Sequence, residues 1–239
     1  MNLMNWLLWS RQGSPLLFGI LLFFLLFGLV PTVFGDELCQ IEKGTPSSKR
    51  MMIRILTGDC SEEERTALAV SAQEVLVAFQ AGYGVHLEGV ILQGDLMLDA
   101  LPLGPLPSLD RVPAVIKERI SREELSKARS IQGPILFHQV AIQGVLSTNL
   151  VNRGFTFFHR PVSITRSTFQ KSVDFSRAIF LQDADFSDTT IRYEGFFIQA
   201  VFLERVQFTK VKFGLHARFH KAVFSGPSSF QKAEFPGLA

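Results

Sequence analysis

Cysteine is scarce in this chain. Cys39 and Cys60 are the only two, and no histidine or third cysteine lies near them, so a thiolate metal centre has no support there. An even pair in an exported chain reads as one disulfide, and two unpaired thiols are the alternative. Net charge is nearly lacking too. The formal balance is +2, which gives no reason to expect nucleic acid as a partner. Phosphate-cradling glycine loops and nucleophile motifs are also missing. The expectation is therefore no enzymatic activity, no cofactor, and no catalytic, cofactor-binding or metal-ligating residue.

What the sequence has is phenylalanine, 23 of them in 239 residues, set at a fixed spacing. Starting at Phe158, large apolar residues return at Ile164, Phe169, Phe175, Phe180, Phe186, Ile191, Phe197, Phe202, Phe208, Phe213, Phe219, Phe224, Phe230 and Phe235, in alternating steps of six and five. Two places before each stands a small or β-branched residue, from Thr156, Val162 and Ser167 through Gly195 and Ala200 to Ser228 and Ala233. The period is eleven, and a fixed internal period is the first signal to seek in a sequence. A long helix is excluded, because steps of five and six would place successive Phe residues roughly 140° and 240° apart. In an extended segment residues i and i−2 share a face. The small residue and the Phe then point inward together, and the residue between them points out. Short extended pieces separated by bends predict an all-β solenoid of 22 residues per coil, because no coil buries its Phe residues without neighbours above and below. Phe158, Phe180, Phe202 and Phe224 would form one ladder, and Phe175, Phe197 and Phe219 another, with coils about 4.8 Å apart.

The stretches "AIFLQDADFSDTT" and "ARFHKAVFSGPSSFQKAEF" resemble the Phe-rich branch of the pentapeptide repeat proteins, whose consensus is a small residue, a polar one, Leu or Phe, then two polar ones. "SAQEVLVAFQAGYGVHLEGVILQGDLML" is similar to the helix and first coil that open many members. The resemblance covers about half of the chain. It implies a right-handed quadrilateral β-helix, carries over no catalytic residue, and implies little about function. Some members mimic a DNA duplex and protect bacterial topoisomerases, which needs an acidic rod in the cytoplasm. From Phe155 onward this chain has eleven Lys and Arg against seven Asp and Glu, so mimicry is the disfavoured reading.

Before the repeats, residues 1–35 carry a fifteen-residue apolar run from 16 to 30, preceded by Arg11 and followed by Pro31 and Gly35. This reads as an export signal cleaved after Gly35, with an uncleaved membrane anchor as the alternative. Both place the remainder outside the cytoplasm, periplasmic or membrane-anchored. Residues 36–60 read as a linker with one strand, and 61–83 as a capping helix opened by Ser61 and Ser71 and closed by Gly82 and Gly84. The solenoid spans 84–239, interrupted by an insertion at 99–133 in which 114–130 is helical and Ser121 with Glu124 forms a cap. The repeat resumes near Leu136 and Ile142, 22 before Phe158 and Ile164, and a bulge is expected where Ser147 and Arg153 break the frame. No C-terminal cap is visible, so the last coil is bare, pairs with another copy, or continues into something this chain lacks.

Candidate sites are few. His216 and His220 are four apart, but on an extended wall that spacing does not put them on one face. Asp174, Asp183, Asp185 and Asp188 fall at outward or corner positions. One surface feature exceeds background: the outward column Phe157, Ile179, Val201 and Val223 is apolar in every coil, flanked by Leu181 and Leu203. Such a stripe marks either a protein partner or second copy, or a surface that the chain covers with its own helices. The reading is an exported, non-enzymatic structural or protein-interaction module of the cell envelope. The alternatives are an envelope ligand-binding protein or enzyme using 99–133 as a lid, and the topoisomerase-protecting mimic.

Overall fold

The structure, a computed structural model, describes residues 38–44, 50–149 and 154–236. The leader at 1–35 therefore lies outside the described residues, as do Arg153 and residues 45–49. Most of what is described is short strand, laid in four sheets whose neighbours pair almost entirely in parallel. From Thr156 onward the chain visits the sheets in strict rotation. Thr156–Phe158, Val162–Thr165, Thr168–Phe169 and Val173–Asp174 are followed by Ala178–Phe180, Ala184–Asp185, Thr190–Ile191 and Gly195–Phe196, each pairing with its counterpart 22 residues earlier. Val201–Phe202, Val206–Gln207, Lys212–Phe213 and Ala217–Arg218 repeat the set.

The alternation of small and large residues determines what each strand buries. Thr156, Val173, Ala178, Thr189, Ala200, Val206 and Val211 are all closed to solvent, together with every large position from Phe158 to Phe213. One apolar cluster draws on all four sheets. Within it the rings stack face to face between successive passes of the chain. Phe158, Phe180, Phe202 and Phe224 have centroids 4.7, 4.8 and 5.2 Å apart, and Phe175, Phe197 and Phe219 stack at 5.8 and 4.9 Å. Phe186, Phe208 and Phe230 make a third ladder at 5.2 and 5.0 Å. Rings of different ladders meet edge to face, as Phe197 and Phe208 do at 5.1 Å. These are the two geometries that the ring quadrupole favours. Two of the polar small residues bond backbone carbonyls: Thr189 Oγ1 donates to the Ile164 carbonyl at 2.7 Å, and Ser167 Oγ to that of Thr165 at 2.9 Å.

The bends have a signature of their own. Arg166, Arg177, Asp188, Gln199, Lys210, Lys221 and Lys232, eleven residues apart, all have φ between 50° and 59°. In most of them the next amide bonds back three residues, as Ala200 N does to Phe197 O at 3.1 Å and Ala222 N to Phe219 O at 3.0 Å. A positive φ at the third position with that bond is the pattern of a type II turn. These turns make the five-residue steps.

Before Thr156 the register departs from the expected frame. Phe158 pairs with Ile131, and Ile164 with Phe137, each 27 residues earlier, so Leu136 and Ile142 are not their partners. Leu136 lies half-buried opposite Ser163. Five extra residues are accommodated between Ser147, which still pairs with Asp174 at an offset of 27, and Thr156. The register thus changes by five across the place where a bulge is expected, and the frame upstream of it is shifted by one five-residue step.

The remaining elements differ from expectation in instructive ways. Residues 36–60 contain a hairpin. Gln40–Gly44 pairs antiparallel with Met51–Thr57, which in turn pairs parallel with Gly84–Glu88 and so extends the first sheet. A Cys39–Cys60 disulfide, Cα atoms 4.9 Å apart, ties the hairpin ends. The 61–83 region is two helices. α1 (Glu62–Ala67) opens on a reciprocal Ser61–Glu64 capping box and α2 (Ala72–Gln80) on Ser71, whose hydroxyl accepts from Glu74 N. Between them Val70–Ser71 is a strand paired with the Leu92–Gln93 end of Ile91–Gln93. Val75, Ala78 and Phe79 of α2 are buried, and Gly82 at φ 75° closes it. In the insertion α3 runs only over Ala114–Arg122. Glu124, expected to cap a helix start, instead adopts φ 51°. Its amide bonds Ser121 O, and Leu125 N bonds Ile120 O at 3.1 Å, a C-terminal helix stop of the Schellman type. Lys127–Ile131 then becomes a strand of the fourth sheet.

Candidate functional site

The six residues of the outward stripe lie beneath the insertion. Phe157, Ile179 and Val201 are fully buried and Leu203 nearly so, while Leu181 and Val223 are half-buried. They pack in one cluster with Val112, Ile116 and Ile120, joined by Leu106, Leu109 and Leu125. The segment from 106 to 125 thus provides the apolar cover that an exposed stripe demands. Charged contacts flank it. Arg177 makes a bidentate pair with Glu123 at 2.7 and 2.8 Å and lies over the Phe155 ring at 5.4 Å. Arg111 pairs with Glu204.

The four carboxylates at corner positions serve the backbone and neighbouring passes. Asp174 Oδ1 accepts from Ser176 N at 2.7 Å and Asp185 Oδ1 from Ser187 N at 2.9 Å. Asp183 accepts from Arg205 N at 3.2 Å, and Asp188 pairs with Lys210 at 3.3 Å. Burial raises the Asp174 carboxyl above its ordinary value, against the lowering effect of the Ser176 hydrogen bonds and with the aid of the nearby Asp99 charge. His138 Nδ1 contacts Thr165 Oγ1 at 3.0 Å and His159 Nε2 contacts Ser130 Oγ at 3.2 Å. Among the described residues no three His, Cys, Asp or Glu side chains gather as a metal site would require.

A charged pair inside the fold escaped the sequence reading. Arg129 occupies the inward position two before Ile131, where the repeat has a small residue, and it is buried. Burial pushes its guanidinium below the ordinary value, and the buried Asp99 carboxylate acts in the opposite direction. The frame error upstream of Thr156 hid this residue.

The second feature that was missed is a cleft of about 540 Å³. Leu56, Gly58 and Cys60 of the hairpin contribute to it, with Arg65 of α1 and Gly89. Gln139, Val140, Ala141, Arg166, Thr168, Gln170 and Arg192, on and beside the second sheet, complete it. Among the described residues three arginines line the cleft and no carboxylate does. Arg65 Nη2 donates to Gly89 O at 3.1 Å, and its Nε is buried with no hydrogen-bond partner among the described residues. Arg166 and Arg192 are exposed.

The sequence matches no protein-family model, and no curated protein and no solved structure is significantly similar to it.

Proposed function

We infer that this chain is an exported, non-enzymatic module built on a right-handed quadrilateral β-helix of the pentapeptide-repeat kind, acting as a rigid structural or protein-interaction element of the cell envelope. The observation that carries the reading is the use made of inward positions. From Thr156 to Phe213 they hold only small residues, Phe and Ile, all buried, and so serve packing alone. From Thr156 onward the constant offset of 22 between paired strands in all four sheets supports the β-helix. The Cys39–Cys60 disulfide supports an oxidising compartment. Among the described residues no helix is long and apolar enough to cross a membrane, so attachment, where it occurs, would rest on residues 1–35. The lid reading of 99–133 loses ground to the apolar contact between α3 and the fourth sheet.

Expression in a bacterial host, fractionation and determination of the product's N-terminus and thiol content test this reading. A periplasmic product beginning at Asp36, or a full-length membrane form facing outward, each with no free thiol, is the expected result. Full-length protein in the cytosol with both thiols free would overturn export and revive the topoisomerase-protecting alternative.

A further inference from the structure

The geometry points to the arginine-lined cleft as a binding site for a phosphorylated polyol, with Arg65, Arg166 and Arg192 holding the phosphoryl group. Three observations carry this beyond a chance grouping of cations.

The first is that three arginines meet in one cleft without a counter-charge among the residues that line it. Arg166 and Arg192 have no ion pair or side-chain hydrogen bond among the described residues, and no Asp or Glu lines the cleft to balance them. Like charges collected without a counter-charge repel, and a bound dianion removes that cost.

The second is that the cleft is built by parts distant in sequence. Arg65 comes from α1 beside the disulfide-tied hairpin, and Arg166 and Arg192 from successive corners next to the second sheet. Arg65 is held by its bond to the Gly89 carbonyl. A guanidinium suits a phosphoryl oxygen better than an ammonium would, because its planar fork presents several donors in fixed geometry.

The third is size and neutral lining. About 540 Å³ exceeds what one phosphate fills and lies within the range of small-ligand sites. Gln139, Thr168 and Gln170 add uncharged donors and acceptors of the kind that recognise hydroxyl groups. A phosphate carrying a short hydroxylated chain fits both sets of groups, whether it is a free phosphoester or the headgroup of a phospholipid. The inference does not rest on export.

The test uses the full chain and compares three proteins: wild type, Arg166→Gln/Arg192→Gln, and Arg205→Gln/Arg218→Gln as a control of equal charge change elsewhere. All four side chains are exposed, and thermal melts confirm that each protein folds. Each is titrated calorimetrically with sn-glycerol 3-phosphate and with glycerol, and sedimented with phosphatidylglycerol or phosphatidylcholine vesicles. The expected result is saturable binding of the phosphoester but not of glycerol, weakened about tenfold or more by loss of the two cleft arginines and unchanged in the control. Binding of the free ester assigns a soluble ligand. Binding only to phosphatidylglycerol vesicles, lost in the cleft variant alone, assigns the lipid headgroup. Equal binding by the cleft variant, equal loss in the control, or no saturable binding of ester or vesicle at millimolar phosphate overturns the proposal.

Discussion

At the residue scale the chain accepts two kinds of local cost, and each is measurable. The left-handed corners are one. An L-residue with a side chain in that region costs roughly 1–2 kcal/mol, and the chain places Arg, Asp, Gln and Lys there without using Gly once between 166 and 232. Lys221 is exposed and makes no ion pair among the described residues. Lys221→Gly removes the strain, while the freer unfolded chain takes back about 0.5–1 kcal/mol. A net stabilisation of about 0.5 kcal/mol is expected as a higher denaturation midpoint, and a loss of stability would show that the Lys221 side chain contributes packing. Asp174 is the other cost. Burial raises its carboxyl in the folded state, so the folded protein holds the proton more tightly than the unfolded chain does. Below the ordinary carboxylate range both states are protonated and nothing is lost. As pH rises through that range the unfolded state ionises first, and stability falls until the folded-state value is passed. Asp174→Asn, whose amide oxygen still accepts from Ser176 N, should therefore melt higher than wild type at neutral pH, with the gain shrinking toward pH 3. A gain that does not change with pH would mean that charge burial is not the cause.

At the scale of elements, legibility followed the repeat. Where small and large residues alternate without interruption, from Thr156 onward, the inward face, the ladders and the pairing partners could all be read before any coordinates. Upstream the same rule misplaced the frame, because Arg129 stands in a slot reserved for small residues and five residues are added before Thr156. The helix of the insertion is eight residues shorter than its composition implies, for a different reason. Residues 123–130 have helical composition, but Glu124 takes a left-handed conformation that composition does not report, and Ile131 belongs on the ladder above Phe158. The cleft was not legible at all, since Arg65 is a hundred residues from Arg166 and only the fold brings them together. The apolar stripe could be seen in the sequence, but its cover could not. That cover yields a prediction. Ile116 is fully buried against the fourth-sheet cluster, and Ile116→Ala should cost about 2–5 kcal/mol. Val201→Lys, which places a charge beneath α3, should free the segment. Limited proteolysis checks both, with cleavage between 101 and 126 expected in each variant under conditions where the wild type is intact. Resistance equal to wild type in the Val201→Lys protein would mean that α3 does not depend on the stripe.

On the proposed β-helix reading, stability in the unit from residue 38 to 236 should be distributed as in a one-dimensional array, where each pass is held by the passes on either side. The two ends of the array differ. At the N-terminal end the disulfide-tied hairpin extends the first sheet, and α2 covers the core with Val75 and Phe79. Toward the other end Phe219, Phe224 and Phe230 are only partly buried, and Phe235, stacked on Phe213 at 5.1 Å, is 48% exposed. A ring with a neighbour on one side only forfeits half its stacking and keeps part of its surface in water. Amide exchange should accordingly be slowest in Thr156–Phe158, Ala178–Phe180 and Val201–Phe202, and should quicken through Val223–Phe224 to Ser228–Ser229. The same gradient sets the cost of losing a ring. Phe180→Ala, in the middle of its ladder, should cost about 3–5 kcal/mol, whereas Phe224→Ala should cost well under half of that and should raise exchange only in the passes next to it. Equal losses at the two positions, or uniform exchange from Thr156 to Ser229, would mean that the unit unfolds in one step and that its later passes are as firmly held as its middle.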